Sequence, residues 1–148
     1  VNINMIKKAN KNDYDKCIEL AKKDKFIKDF VSTSFRWGWE NNLYVYKDDE
    51  DEKVLGFVQF NLCKRISKSS LYYVYSSPEA RGKGIGAKLF NFYLEKSMDK
   101  ELLYWKVSKK NENALMFYEK FGFKPKLEKE KEFIFLIKKY VPSPINNF

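Results

Sequence analysis

The sequence predicts a single α/β domain, and three observations carry that prediction. Apolar residues repeat with period two in some stretches and with helical spacing in others, in the order β-α-α-β-β-β-α-β-α-β. A glycine loop, Arg81-Gly82-Lys83-Gly84-Ile85-Gly86-Ala87, joins an apolar strand to an amphipathic helix. The chain has 148 residues, 44% of them apolar and 18% aromatic, enough to bury a core without disulfides or metals.

Residues 2–8 alternate as a first strand. Residues 11–23 carry Tyr14, Cys17, Ile18 and Ala21 at helical spacing, with Asn12 or Asp13 as the cap. A less regular helical stretch, 25–37, ends in the aromatic cluster Phe35, Trp37 and Trp39. Stretches 43–47 and 53–63 read as strands joined by the acidic run Asp48-Asp49-Glu50-Asp51-Glu52, a solvated hairpin tip. Residues 70–76 are apolar and aromatic on both faces, as in a central strand, and Pro78 ends it. Ile85, Leu89, Phe92 and Tyr93 then mark a helix packed on the sheet. A strand over 102–108 and a helix over 111–121 closing at Gly122 follow. A last strand spans 133–140, with a short additional strand near 124–127 as an option.

The strand–loop–helix unit points several backbone N–H groups at one spot, at the positive end of a helix dipole. That is an anion site, most naturally for a phosphate or pyrophosphate. Gly82-x-Gly84-x-x-Ala87 also meets a relaxed dinucleotide fingerprint, with Asp99 as ribose partner. Such a fold places its fingerprint in an early βαβ unit and needs more parallel strands than this chain supplies. A Walker loop is excluded, because no Gly-Lys-Ser/Thr follows at the required spacing.

Pro78-Glu79-Ala80-Arg81-Gly82-Lys83-Gly84-Ile85-Gly86-Ala87-Lys88-Leu89 resembles the acyl-CoA signature of the GCN5-related N-acetyltransferase (GNAT) superfamily, whose core is Gln/Arg-x-x-Gly-x-Gly/Ala. Asn111-Glu112-Asn113-Ala114-Leu115-Met116-Phe117-Tyr118-Glu119-Lys120-Phe121-Gly122-Phe123 resembles that family's second signature. The motifs stand in the family's order and separation, and the resemblance spans essentially the whole chain. It implies a mixed, mostly antiparallel sheet of six or seven strands with about four helices and a splayed central strand pair. Residues 1–140 would be one acetyl-CoA-binding acetyltransferase domain, and 141–148 a C-terminal tail.

Carried over residue by residue, the resemblance implies that the N–H groups of Arg81, Gly82, Lys83, Gly84, Ile85, Gly86 and Ala87 cradle the CoA pyrophosphate. Arg81 and Lys83 would add positive charge. The main chain of Val74, Tyr75 and Ser76 would pair with the pantetheine amides and polarise the thioester carbonyl. Asn111 would bond backbone or pantetheine groups, Ala114 and Phe117 would line the cofactor wall, and Tyr118 would protonate the departing thiolate. Read by helical spacing alone, Tyr118 is an ordinary core residue.

The family's carboxylate base has no counterpart in Leu71-Tyr72-Tyr73-Val74-Tyr75-Ser76-Ser77. Glu79 reads as a surface residue and Glu40 as a distant candidate, and an acceptor could also lose its proton to water. Cys63 would suit a ping-pong acyl-enzyme. With no histidine in the chain to activate it, Cys63 reads as a buried structural cysteine, and direct transfer in a ternary complex is expected. In the family, the first two helices and final strands build the acceptor pocket. Here that region holds Phe26, Phe30, Phe35, Arg36, Trp37 and Trp39. Their rings suit a cation or apolar amine, Arg36 suits a carboxylate, and core packing explains most of them equally well.

The net charge is +9, yet its carriers are almost all lysine, scattered along the chain, with arginine only at Arg36, Arg65 and Arg81. This reads as a lysine-rich solvated surface rather than a nucleic-acid interface. Neither cysteine has metal-ligand spacing, and no metal is expected. No stretch approaches the ~18 apolar residues of a membrane span, and no apolar signal segment opens the chain, so a reducing cytoplasm is expected. The resulting expectation is an N-acetyltransferase acting on a small-molecule or peptide amine, as monomer or homodimer. A non-catalytic acyl-CoA sensor and a basic nucleic-acid-binding domain are its rivals.

Overall fold

The computed structural model describes residues 5–138. In chain order they form β1 (Ile6–Lys8), α1 (Lys11–Ala21), α2 (Phe30–Arg36), α3 (Trp39–Asn42), β2 (Leu43–Lys47), β3 (Val54–Cys63), β4 (Lys68–Ser76), α4 (Ile85–Lys96), β5 (Leu102–Ser108), α5 (Glu112–Lys120), β6 (Leu127–Glu128) and β7 (Glu132–Lys138), with a 3-10 turn at Pro78–Ala80. One seven-stranded sheet runs β1-β2-β3-β4-β5-β7-β6. Its β4–β5 pair is parallel, whereas β1–β2, β2–β3, β5–β7 and β6–β7 are antiparallel. The mixed, mostly antiparallel sheet is as expected. The tail expected at 141–148, the start of the first strand and the end of the last lie outside the described residues.

The chain divides into two compact units. The first takes the residues up to Asn61 together with Leu71–Lys96, and the second takes Leu62–Ser70 together with the residues from Ser97 onward.

In the first unit, strand alternation sends successive side chains to opposite faces. Leu43, Val45, Phe57, Tyr73 and Tyr75 join Tyr14, Cys17 and Ala21 of α1, Phe30 of α2 and Trp39 of α3 in one buried cluster. Tyr14 and Trp39 stack with centroids 4.3 Å apart. The opposite face meets α4, where Tyr44 packs on Phe92 and Phe60 packs on Tyr93. Phe35 and Trp37 stay exposed, so the aromatic cluster read from the sequence divides between core and surface.

The cap of α1 differs from expectation. Asn10 caps the helix, its carboxamide oxygen accepting from the Asp13 N–H at 2.8 Å, while the Asp13 carboxylate accepts from the Asn10 N–H at 3.0 Å. Asp13 is thus the reciprocal member of a capping box, and Lys47 closes a 2.8 Å ion pair on it. α2 begins at Phe30 rather than near Lys25, because Asp24 captures the Phe26 N–H at 2.8 Å and holds that segment in a turn. Trp39–Asn42 forms a short helix in addition to the four expected. The acidic run is a hairpin tip, with Asp48 and Asp51 accepting from the N–H groups of Glu50 and Lys53.

In the second unit, β5 and β7 pair through seven positions, from Leu102↔Lys138 to Ser108↔Glu132. Trp105 stacks on Phe135 with centroids 5.3 Å apart and meets Phe123 edge-on. Ser69 and Ser97 share a buried 2.7 Å hydrogen bond. Among the described residues, no helix is long and apolar enough to cross a membrane.

Candidate functional site

The end of β4 is held along one edge by β3. The Tyr75 carbonyl faces Gly56 of β3, and the Ser77 N–H donates to the Leu55 carbonyl at 2.8 Å. Because strand residues alternate, the N–H and C=O groups of Val74 and Ser76 point to the opposite edge. The parallel register with β5 covers only Lys68–Ser70 against Leu102–Tyr104. Residues 71–76 of β4 lie beyond the last pair of that register.

Beyond Ser77 the chain turns through Pro78–Ala80 into the glycine loop. Gly82 and Gly84 have φ of +84° and +75°, a region that costs other residues about 1–2 kcal/mol, which explains both glycines. Gly86 lies inside the first turn of α4. The N–H groups divide in two. Arg81 donates to the Pro78 carbonyl at 3.4 Å and Lys83 to that of Ala80 at 3.3 Å, so these two serve the turn itself. Those of Gly82, Gly84, Ile85, Gly86 and Ala87 make no hydrogen bond among the described residues, and Lys88 is the first to donate back, to Gly84 at 3.1 Å. Five donors remain at the amino end of a twelve-residue helix, beside the exposed Arg81 and Lys83. This arrangement fits a pyrophosphate. Arg81 also stands 6.0 Å over the Tyr75 ring.

The fold brings to β4 two carboxylates that sequence reading missed. Burial, the largest effect, pushes the Tyr73 pKa upward; Thr33 opposes the shift and the nearby Asp29 adds to it. Burial likewise raises Tyr75, with the Asp24 charge adding to the effect and Arg81 opposing it. The Tyr75 side chain belongs to the core and its carbonyl faces Gly56. No short-range sequence signal links Asp24 or Asp29 to β4.

Asn111, Ala114, Phe117 and Tyr118 lie in the second unit, apart in sequence from the loop and β4 end of the first. Asn111 caps α5, its carboxamide oxygen accepting from the Ala114 N–H at 3.2 Å. Tyr118 is buried with its ring against Trp105, Phe117 and Phe135. Ala114 and Phe117 are half-buried.

Glu79 is an exposed partner of Lys53 at 2.7 Å, as its surface reading anticipated, and Glu40 is exposed in α3. Cys63 corrects an expectation: it is half-buried at the end of β3, not a core residue. Its thiol pKa is lowered by the N–H of Ile66, then that of Arg65, aided by the charges of Lys100 and Arg65. The described residues contain no cluster of three or more His, Cys, Asp or Glu able to hold a metal.

Residues 9–123 match the model of the Acetyltransferase (GNAT) family. A protein of Pseudomonas phage PaMx11 named 5-NmdU N-acetyltransferase is 25% identical over 126 residues, covering 80% of this chain and 86% of that protein. Among solved structures, the ribosomal-protein-S18-alanine N-acetyltransferase of Escherichia coli superposes with a TM-score of 0.75 at 14% identity, over 94% of this chain and 96% of that one. The PaiA N-acetyltransferase of Thermoplasma acidophilum, in complex with coenzyme A, gives 0.71 at 19% identity, over 90% and 98%.

Proposed function

This chain belongs to the Acetyltransferase (GNAT) family and is an acyl-CoA-dependent N-acetyltransferase, and we propose that it moves an acetyl group from acetyl-CoA to a primary amine by direct transfer in a ternary complex. The observation that carries the reading is the set of five unpaired N–H groups between Gly82 and Ala87, beside Arg81 and Lys83. They would hold the pyrophosphate, while Val74 and Ser76 offer main-chain groups to the pantetheine amides and a donor to the thioester oxygen. Fixed donors aimed at developing oxyanion charge are often the largest catalytic contribution.

The amine nitrogen attacks the thioester carbon, a C–N bond forms, the C–S bond breaks, and CoA departs as thiolate. Asp29, exposed and near the Tyr73 hydroxyl, takes the amine proton through water in place of the absent β4 carboxylate. The raised pKa of Tyr73 keeps it a phenol, so it orients Asp29 rather than acting as base. Tyr118 donates to the leaving thiolate. A thiol near pKa 8.5 and a phenol near 10 make full transfer slightly uphill, so a stabilising hydrogen bond is the main benefit. Asn111 orders α5, and Ala114 and Phe117 form the wall beside the cofactor. The acceptor is a small-molecule or peptide amine, and the setting a reducing cytoplasm that suits two unpaired cysteines.

CoA release, followed with a thiol reagent across a panel of amines, tests the reading. The name of the phage relative places 5-NmdU on that panel. Amine-dependent CoA release with matching acetyl-amine product is expected. Acetyl-CoA binding without turnover on any amine would overturn it.

A further inference from the structure

The face that α2 turns to the sheet is the stripe Phe30, Thr33, Ser34 and Trp37, at the i, i+3, i+4, i+7 spacing of one helical face. Trp37 closes the last turn, its N–H donating to the Thr33 carbonyl at 3.1 Å. Both ends of the stripe meet β4. Phe30 touches the Tyr73 ring edge-on with centroids 5.2 Å apart, and Trp37 stacks on Tyr72 with centroids 5.5 Å and planes 17° apart. Phe30 and Ser34 are fully buried, whereas Trp37 is 49% exposed. Among the described residues no other ring meets the indole, so one face lies on Tyr72 and the other is open. The interior fixes the ring from behind. The Asn42 carboxamide donates to the Trp37 carbonyl at 2.7 Å, and that of Gln59 donates to the Asn42 Oδ1 at 2.8 Å. Both carboxamides are buried, and Gly38, with φ of +71°, turns the chain away directly after the ring. An open ring held in this way is ordered before any ligand arrives, which lowers the cost of binding to it.

We infer that Trp37 selects the acceptor: its open indole face stacks on a flat ring of the substrate, so the preferred acceptor is a primary amine joined by a short arm to an aromatic or heteroaromatic ring. The inference rests on the N-acetyltransferase reading, which sets the thioester at the end of β4. The place of the stack along β4 supports it. Tyr72 precedes Val74 by two residues, about 7 Å along a strand, and lies beyond the last β4–β5 pair of the printed register, Ser70↔Tyr104. A ring on Trp37 therefore leaves its amine a short arm from the thioester, on the side of the sheet where Asp29 opens the same helix.

The geometry favours this class over two others. A cationic group is recognised by a cage of several rings, and here a single open face is offered. A purely aliphatic amine would gain burial against the indole but not the offset stack that orients its arm. An indole held flat on Tyr72 also tells a flat ring from a puckered one of equal size, because only the flat ring brings all its atoms into contact at once.

The test compares CoA release with phenethylamine and with cyclohexylethylamine, which share arm length and ring size. The full chain should prefer the flat ring by about three- to tenfold in kcat/KM, the range that aromatic pairing supports. Trp37→Leu should bring the ratio close to one by raising KM for phenethylamine, with kcat and CoA affinity nearly unchanged. Trp37→Phe, which keeps a ring, should retain part of the preference. Val31→Ala, on α2 but off the stripe and 43% exposed, should leave the ratio as in the wild type. A second readout needs no turnover. With CoA bound, nitrophenethylamine should quench tryptophan fluorescence saturably, because Trp39 and Trp105 are 8% and 1% exposed and Trp37 alone is open. Phenethylamine should reverse that quenching at lower concentration than cyclohexylethylamine. Equal kcat/KM for the two amines, a preference that survives Trp37→Leu, or a loss of preference in Val31→Ala as large as in Trp37→Leu would overturn the inference. So would quenching that never saturates. Turnover without ring preference overturns acceptor selection alone, whereas no CoA release on any amine overturns the N-acetyltransferase reading and the selection with it.

Discussion

Gly56 of β3 lies directly against the main chain of Tyr75 on β4: a Cβ at Gly56 would stand 2.5 Å from the Tyr75 carbonyl oxygen. It would also come within 3.0 Å of Leu89 and 3.2 Å of Ile85 in α4. The missing side chain lets α4 settle on the sheet with its amino end at the close of β4, which couples the strand to the loop. Gly56→Ala should destabilise the fold by about 1–3 kcal/mol through overpacking and weaken CoA binding as well. Thermal unfolding and a CoA titration measure the two effects. If both stayed unchanged, this contact would not position the loop.

Gly84→Ala probes the loop in the opposite way. No atom lies within 4 Å of the position its Cβ would take, but its φ is +75°. The expected stability loss is therefore the backbone cost alone, about 1–2 kcal/mol. CoA affinity should fall further than stability does, because relaxing φ turns neighbouring N–H groups away from the anion. Equal affinity for CoA in wild type and variant would remove the loop from the pyrophosphate site.

The elements most legible in the sequence are those whose pattern and boundary signals agree. β2 and β5 match their expected spans, and Asn111 and Gly122 bracket α5 because cap chemistry is local. The Asn10 cap is less legible, since it rests on a reciprocal pair in which the Asp13 carboxylate accepts from the Asn10 N–H. The start of α2 depends on one Asx turn at Asp24, a competition that helical spacing does not register. In the candidate site, the glycine loop is local and readable. Asp29 is not, because only the packing of α2 against β4 brings its carboxylate to Tyr73.

The two cysteines should differ sharply in reactivity. Burial, reinforced by the Asp13 charge, drives the Cys17 thiol far above its ordinary pKa, whereas the Ile66 and Arg65 N–H groups lower that of Cys63. The thiolate is the reactive form. Iodoacetamide near neutral pH should therefore label Cys63 first, with its rate levelling at a lower pH than a free thiol shows. Cys17 should label only on unfolding. Peptide mapping of the alkylated chain over time distinguishes the sites, and equal labelling of both in the folded protein would contradict these environments.

Proton movement makes the last comparison. Asp29→Asn keeps the shape at the Tyr73 hydroxyl but removes the charge that receives the amine proton, so turnover should fall by about 10²–10⁴-fold where proton removal limits the rate. Tyr73→Phe should cost less, because it removes only the group that orients Asp29. Tyr118→Phe acts at the leaving group: it should lower turnover while leaving CoA affinity nearly unchanged, its ring still packed on Trp105 and Phe135. Single-turnover rates with amines of decreasing pKa separate the two roles. An acceptor already neutral at the assay pH should rescue Asp29→Asn and leave Tyr118→Phe slow. If it rescues neither, Asp29 does not receive the proton; if Tyr118→Phe turns over like wild type when chemistry limits the rate, Tyr118 does not serve the thiolate.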